Sequence, residues 1–247
     1  VMPLLEYIIS IFSNIDINDV KGKVKLLPNE LRQNFAKDTR SKSDIIAEYF
    51  KDKKNTDKYI VEMNSSKKMP WRNVFYAYKV AVGGISIAND KYVKTYDTIL
   101  INFNNFHDSK HKFIRTITMR DEDGIIYDDS TIIYEVNMAK AKDFSYNYTN
   151  KREEQIAIIS RMLMAESSVE LNKESNIIMN KKDTEKLVNR AKELSSDDEY
   201  IRLFDEEENY KELIRNTELA EAREEGIKLG SKETAINIAK NLIKIGL

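Results

Sequence analysis

The chain has 247 residues, 33% of them charged and 41% hydrophobic, with a net charge of -1 and a mean hydropathy of -0.55. That length accommodates a sizeable core plus a helical appendage, and the near-zero charge excludes a globally basic nucleic-acid binder. The absence of cysteine excludes disulfides and thiolate metal sites and fits a cytosolic protein. A helical membrane span is excluded because no run of about 18 apolar residues exists; the best candidate, residues 74–88, is too short and carries Lys79. Residues 1–12 lack the basic segment and small-residue cleavage site of a signal peptide.

In chain order, residues 2–14 place Leu4, Leu5, Ile8, Ile9 and Phe12 at helical spacing, with Pro3 at a first-turn position. Residues 23–27 read as a short strand before a polar loop. Two apolar, β-branched runs follow, 44–50 and 59–64, joined by KDKKNTDK, and together they predict a β-hairpin. A turn centred between Lys53 and Lys54 sets Asp44 opposite Glu62 or Met63. Opposed side chains share a face, and period-2 alternation adds Asn64 to the face of Glu62. Two carboxylates and an amide then converge at one end of the hairpin, and the carboxylates repel unless a cation sits between them. Lys51, Lys53, Lys54, Lys58, Lys67 and Lys68 cluster near this site. They offer local positive charge to a nucleic-acid backbone, or simply form a solvated hairpin tip.

Ser65 and Ser66 offer caps, and Pro70 a first turn, for a helix reaching to about residue 85. Trp71, Phe75, Tyr78 and Val82 make one apolar face, predicted to be core, while Arg72, Tyr76 and Lys79 share another face. Residues 97–106 return as a β-prone strand. Residues 112–120 and 132–138 read as two more strands, separated by the turn signals DEDG and DDS. Asp121, Glu122, Asp123, Asp128 and Asp129 lack the ligand spacing of a calcium loop and read as an acidic turn. His107 and His111 lie four apart with no third ligand nearby and read as solvent-facing, not zinc-binding. From residue 148 the pattern is helical, over 153–166, 181–194, 205–229 and 232–245, with no repeat of fixed period. The last pair carries a sparse stripe of Ile227, Ile236, Ala239, Leu242 and Ile243, suited to homodimerisation or to packing back on the sheet. The chain thus divides into residues 1–147 and a helical region, 148–247.

An Asp on one strand, Glu-x-Asn on the next, an Arg/Tyr helix and an apolar strand, in that order, are similar to the PD-(D/E)XK nucleases. The branch most resembled is that of the recombination-promoting nucleases, or putative transposases. Asp44-Ile45, Tyr59-Ile60-Val61-Glu62-Met63-Asn64, Arg72, Tyr76, ILINFNNF at 99–106 and the late AEAREEGIKLG carry the likeness, which is strongest over residues 44–106. The resemblance implies an α/β fold with a restriction-endonuclease-like core, a mixed sheet flanked by helices, and an α-helical C-terminal region. It implies a cytoplasmic, metal-dependent endonuclease acting on DNA. In it, Asp44, Glu62 and the backbone carbonyl of Met63 would hold Mg²⁺ or Mn²⁺. Arg72 would clamp the scissile phosphate, and the Tyr76 phenol would donate a hydrogen bond. Where this family has Lys or Gln the chain has Asn64, with Lys67 or Lys68 available as a migrated lysine. A supporting Glu on the first helix would be Glu6, whose alternative is a plain surface residue. The family usually has more sequence ahead of that helix, and the abrupt end at Leu247 suggests a terminus further on. Asn64 keeps a second reading open, a catalytically weak nuclease-like scaffold that binds nucleic acid or protein.

Overall fold

A computed structural model describes residues 2–29, 44–52, 55–64, 70–88, 90–106, 112–143 and 146–198, with scattered positions between 202 and 231. Two compact units emerge, Val1–Arg190 and Ala191–Leu247. The first therefore extends past the change of character at residue 148. The last two predicted helices, 205–229 and 232–245, lie mostly outside the described residues, and of the dimerisation stripe only Ile227 is described, where it is exposed.

The first unit is an α/β layer structure. Helix α1 (Met2–Ser13) leads through the single-turn α2 (Ile17–Val20) into β1 (Val24–Leu27), β2 (Ile45–Phe50) and β3 (Thr56–Asn64). Helix α3 (Pro70–Val82) and the small hairpin β4 (Ile85–Ala88) and β5 (Lys91–Lys94) then carry the chain to β6 (Tyr96–Asn104). Strands β7 (Ile114–Arg120) and β8 (Ile126–Asn137) follow, then α4 (Met138–Ala141), α5 (Lys151–Leu163), α6 (Ser168–Ile178) and α7 (Lys181–Ser195). Six strands form one mixed sheet in the order β1-β2-β3-β6-β8-β7. The pairs β1–β2, β2–β3 and β7–β8 are antiparallel, while β3–β6 and β6–β8 are parallel. A parallel step needs a crossover, and α3 lies within the one between β3 and β6.

The two faces of the sheet are read from alternation. On one side Tyr59, Val61, Ile99, Ile101, Phe103 and Val136 pack with Leu5, Ile8, Ile9 and Phe12 of α1 and with Ile156 and Ile159 of α5. On the other, Ile46, Ile60, Leu100 and Ile133 form a smaller apolar row under Ala77 and Val80 of α3.

That second contact reverses the expectation for α3. Trp71, Phe75 and Val82 are 74%, 46% and 60% exposed, whereas Asn73, Ala77 and Val80, at i, i+4 and i+7, are buried. A small residue at 77 lets the helix settle close to the isoleucines and leucine beneath, and this outweighs the larger apolar area of the aromatic stripe. Close approach continues at Gly84, where an added Cβ would lie 2.8 Å from two ring carbons of Tyr96.

Three local features also differ from the sequence expectation. The hairpin β4–β5 was not expected, since its exposed strands have no apolar alternation against a core. Helix α6, capped by the Ser167 side chain on Glu170 N–H, buries only Ser175 and so shows almost no apolar period. Asp128 and Asp129 belong to β8, not to a turn; only Asp121 holds the bend, its Oδ1 accepting from the N–H groups of Asp123 (3.1 Å) and Ile125 (2.7 Å).

Candidate active site

The hairpin register is Ile45 opposite Val61 and Ile46 opposite Ile60, so continuing it by one residue sets Asp44 opposite Glu62. Each carboxylate is tied to the other strand's main chain. The Asp44 N–H donates to Glu62 Oε1 at 3.1 Å, and the Met63 N–H donates to Asp44 Oδ2 at 2.7 Å. Glu62 is 3% exposed, whereas Asp44 is exposed.

Helix α3 brings its first turns over this end of the hairpin. One guanidinium nitrogen of Arg72, Nη2, donates to Asn64 Oδ1 and lies 3.7 Å from Glu62 Oε2. The same guanidinium sits 5.7 Å from the Tyr76 ring centre. Burial first, then the negative charges of Glu62 and Asp44, push the Tyr76 phenol above its ordinary pKa, while Arg72 pulls it down. Asp44, Glu62, Asn64, Arg72 and Tyr76 are thus gathered in one place. The cause is simple: Arg72 and Tyr76 are one helical turn apart on the helix that follows the Glu62 strand directly.

Other candidates lie elsewhere. Lys51 and Lys58 are at the turn end of the hairpin, and Asp44 and Glu62 are at its open end. At about 3.3 Å per residue, Lys58 lies about 13 Å along β3 from Glu62. Lys51 pairs with Asp57 at 2.8 Å, and Lys58 covers the Tyr96 ring at 4.0 Å. An antiparallel pair separates its turn from its ends, so Lys51 and Lys58 of the expected cluster do not line the site. Glu6 accepts from Gly22 N–H at 2.8 Å, bracing the turn before β1. Lys53, Lys54, Lys67, Lys68, Ser65, Ser66, His107 and His111 lie outside the described residues.

Beside the expected group runs a polar strip that was not expected. Three neighbouring strands, parallel and in register, end on matching triplets: Glu62-Met63-Asn64, Asn102-Phe103-Asn104 and Glu135-Val136-Asn137. The first and third residue of each triplet point to the α3 side, and all six are at most 7% exposed. Asn64 Nδ2 donates to Asn102 Oδ1 (2.8 Å) and Asn104 Oδ1 (3.2 Å). Glu135 accepts from Arg115 of β7. The signal was present in the sequence: in ILINFNNF, asparagine interrupts an otherwise apolar strand at alternate positions, whereas buried parallel strands are normally apolar throughout.

For a cation, the donors are oxygens of the kind Mg²⁺ and Mn²⁺ prefer. Glu135 is two strands from Glu62, about 9 to 10 Å between backbones, too far to complete the same ion. Among the described residues no three His, Cys, Asp or Glu side chains gather into a metal-holding cluster. An ion here would rest on two carboxylates, a carbonyl and water. That set fits Mg²⁺, which dehydrates reluctantly and is commonly held by one or two carboxylates.

No helix among the described residues is long and apolar enough to cross a membrane. Compared with protein-family models, curated proteins and solved structures, the chain matches none of them.

Proposed function

We propose that the chain is a metal-dependent endonuclease, built on a restriction-endonuclease-like core and hydrolysing phosphodiester bonds in DNA in the cytoplasm. The observation that carries this reading is Asp44 opposite Glu62, cross-bonded through their main chains, with the Arg72 guanidinium beside them. Like charges so placed are a cost to folding that a bound cation relieves. The choice of DNA rests on the resemblance to recombination-promoting nucleases.

Asp44, Glu62 and the Met63 carbonyl would hold Mg²⁺ or Mn²⁺. Such an ion, when bound, polarises a phosphate oxygen and lowers the pKa of a water. Arg72, anchored at Nη2, keeps other N–H groups for a non-bridging phosphate oxygen, where charge builds as the bond breaks. Tyr76, with its pKa raised, keeps its proton at neutral pH and serves as a hydrogen-bond donor, not as a base.

A specific observation favours the scaffold reading as well. Both amide hydrogens of Asn64 are engaged by Asn102 and Asn104, so Asn64 has none left to orient a water as a lysine would. Cleavage of supercoiled plasmid in Mg²⁺, Mn²⁺ or EDTA, run beside Glu62→Ala, separates the two. The nuclease reading expects nicking that needs the divalent ion and falls at least about a hundredfold in the variant. Equal cleavage by Glu62→Ala overturns it; intact plasmid with nucleic acid retained in a complex supports the scaffold.

A further inference from the structure

Arginine has N–H donors and no acceptor. The Asn64 atom facing Arg72 must therefore be its oxygen, and the amide nitrogen must face β6. That orientation forces Asn102 and Asn104 to present oxygens to it, at 2.8 and 3.2 Å. The chain of bonds has one direction: Arg72 donates to Asn64, and Asn64 donates to Asn102 and Asn104. Flipping the Asn64 amide breaks the contact to the guanidinium, and flipping Asn102 or Asn104 sets an amide nitrogen against Asn64 Nδ2.

This order is costly. Asn102 is 0% exposed, and its Nδ2 has no hydrogen-bond partner among the described residues; a buried donor left unpaired is unfavourable. Apolar side chains at 64, 102 and 104 would extend the row of Ile60 and Leu100 and avoid that cost. The polar row begins instead at the end of the sheet where Arg72 and Asn73 lie, beyond the cover given by Ala77 and Val80.

We propose that Asn102 and Asn104 are positioning residues for Arg72, acting through Asn64, so that the guanidinium is held ready for a phosphate oxygen. The proposal rests on the nuclease reading for its phosphate, but not for the geometry of the guanidinium. Asn64 is thereby a support for the cation and not a substitute for a water-orienting lysine.

Asn104→Ala tests it in the full chain with two independent readouts. The first is the ¹⁵Nε–¹H signal of Arg72, identified by its absence in Arg72→Lys. The proposal expects it to shift and broaden in Asn104→Ala, and to return in Asn104→Asp, which keeps an acceptor oxygen for Asn64. The second is plasmid cleavage, where kcat falls by about tenfold to a hundredfold, the scale of a misplaced transition-state contact, with Mn²⁺ affinity by calorimetry unchanged. An unmoved Arg72 signal overturns the positioning role. A moved signal with unchanged kcat overturns the use of the guanidinium in cleavage. Loss of Mn²⁺ binding would make Asn104 part of the ion site and overturns the proposal too. If wild type does not cleave, the nuclease reading falls while the signal still decides the positioning. Should Asn104→Ala not fold, Asn102→Ser reads the same link.

Discussion

At the scale of single residues, the carboxylate pair makes a prediction that separates stability from function. In EDTA, Asp44→Asn removes a like charge near Glu62, and an amide oxygen can still accept from Met63 N–H. The variant should match wild type or exceed it by up to about 1 kcal/mol, read from denaturant midpoints. Adding Mg²⁺ should raise the melting temperature of wild type by mass action and leave Asp44→Asn unmoved. A second residue speaks through pH. Burial, more than any other influence, lifts the Asp57 carboxyl above its ordinary value of 3.8, while Lys51 opposes the lift. The native state therefore holds the proton longer than the unfolded chain, so this group subtracts stability as pH rises from 3.8 through the higher native value. Asp57→Asn removes that slope. Relative to wild type it should gain stability as pH rises from 4 to neutrality, the Lys51 contact being already contained in the wild-type shift.

At the scale of elements, α3 decides most. Its buried line of Asn73, Ala77 and Val80 predicts that Ala77→Leu overpacks against Ile60 and Leu100, costing about 1–3 kcal/mol. Trp71→Ser and Val82→Ser, on the exposed side, should stay within about 0.5 kcal/mol; equilibrium unfolding of the three variants checks both statements. The hairpin was legible in the sequence because alternation and a polar connection mark it. They left Glu62 or Met63 opposite Asp44, and the observed register, continued by one residue, selects Glu62. The orientation of α3 was not legible, since its strongest apolar stripe is the one left in solvent and its packing surface is small and partly polar. Asn102 and Asn104 were not legible for a related reason. Asparagine in a strand carries no charge and no nucleophile, and its meaning appears only when Asn64 and Arg72 stand next to it.

At the scale of the first unit, the sheet depends on helices that arrive from both ends of the sequence. Arg152 of α5 donates from Nε to Ile11 O at 3.1 Å and from Nη2 to Phe12 O at 2.7 Å, with its guanidinium 5.3 Å from the Tyr134 ring centre. It satisfies carbonyls at the end of α1 that the helix itself cannot. Arg152→Met should cost about 2 kcal/mol, the scale of hydrogen bonds to a charged group, measured as a fall in the guanidinium chloride midpoint. The borders of the sheet carry a different consequence. On one side β1 has only four residues, and on the other β7 slips register between Ile117 and Met119 and again before Arg120. Such slips bend a strand and spoil the regular row of free amides that a foreign chain needs for docking. Growth into fibrils by edge-to-edge addition is therefore disfavoured at β7.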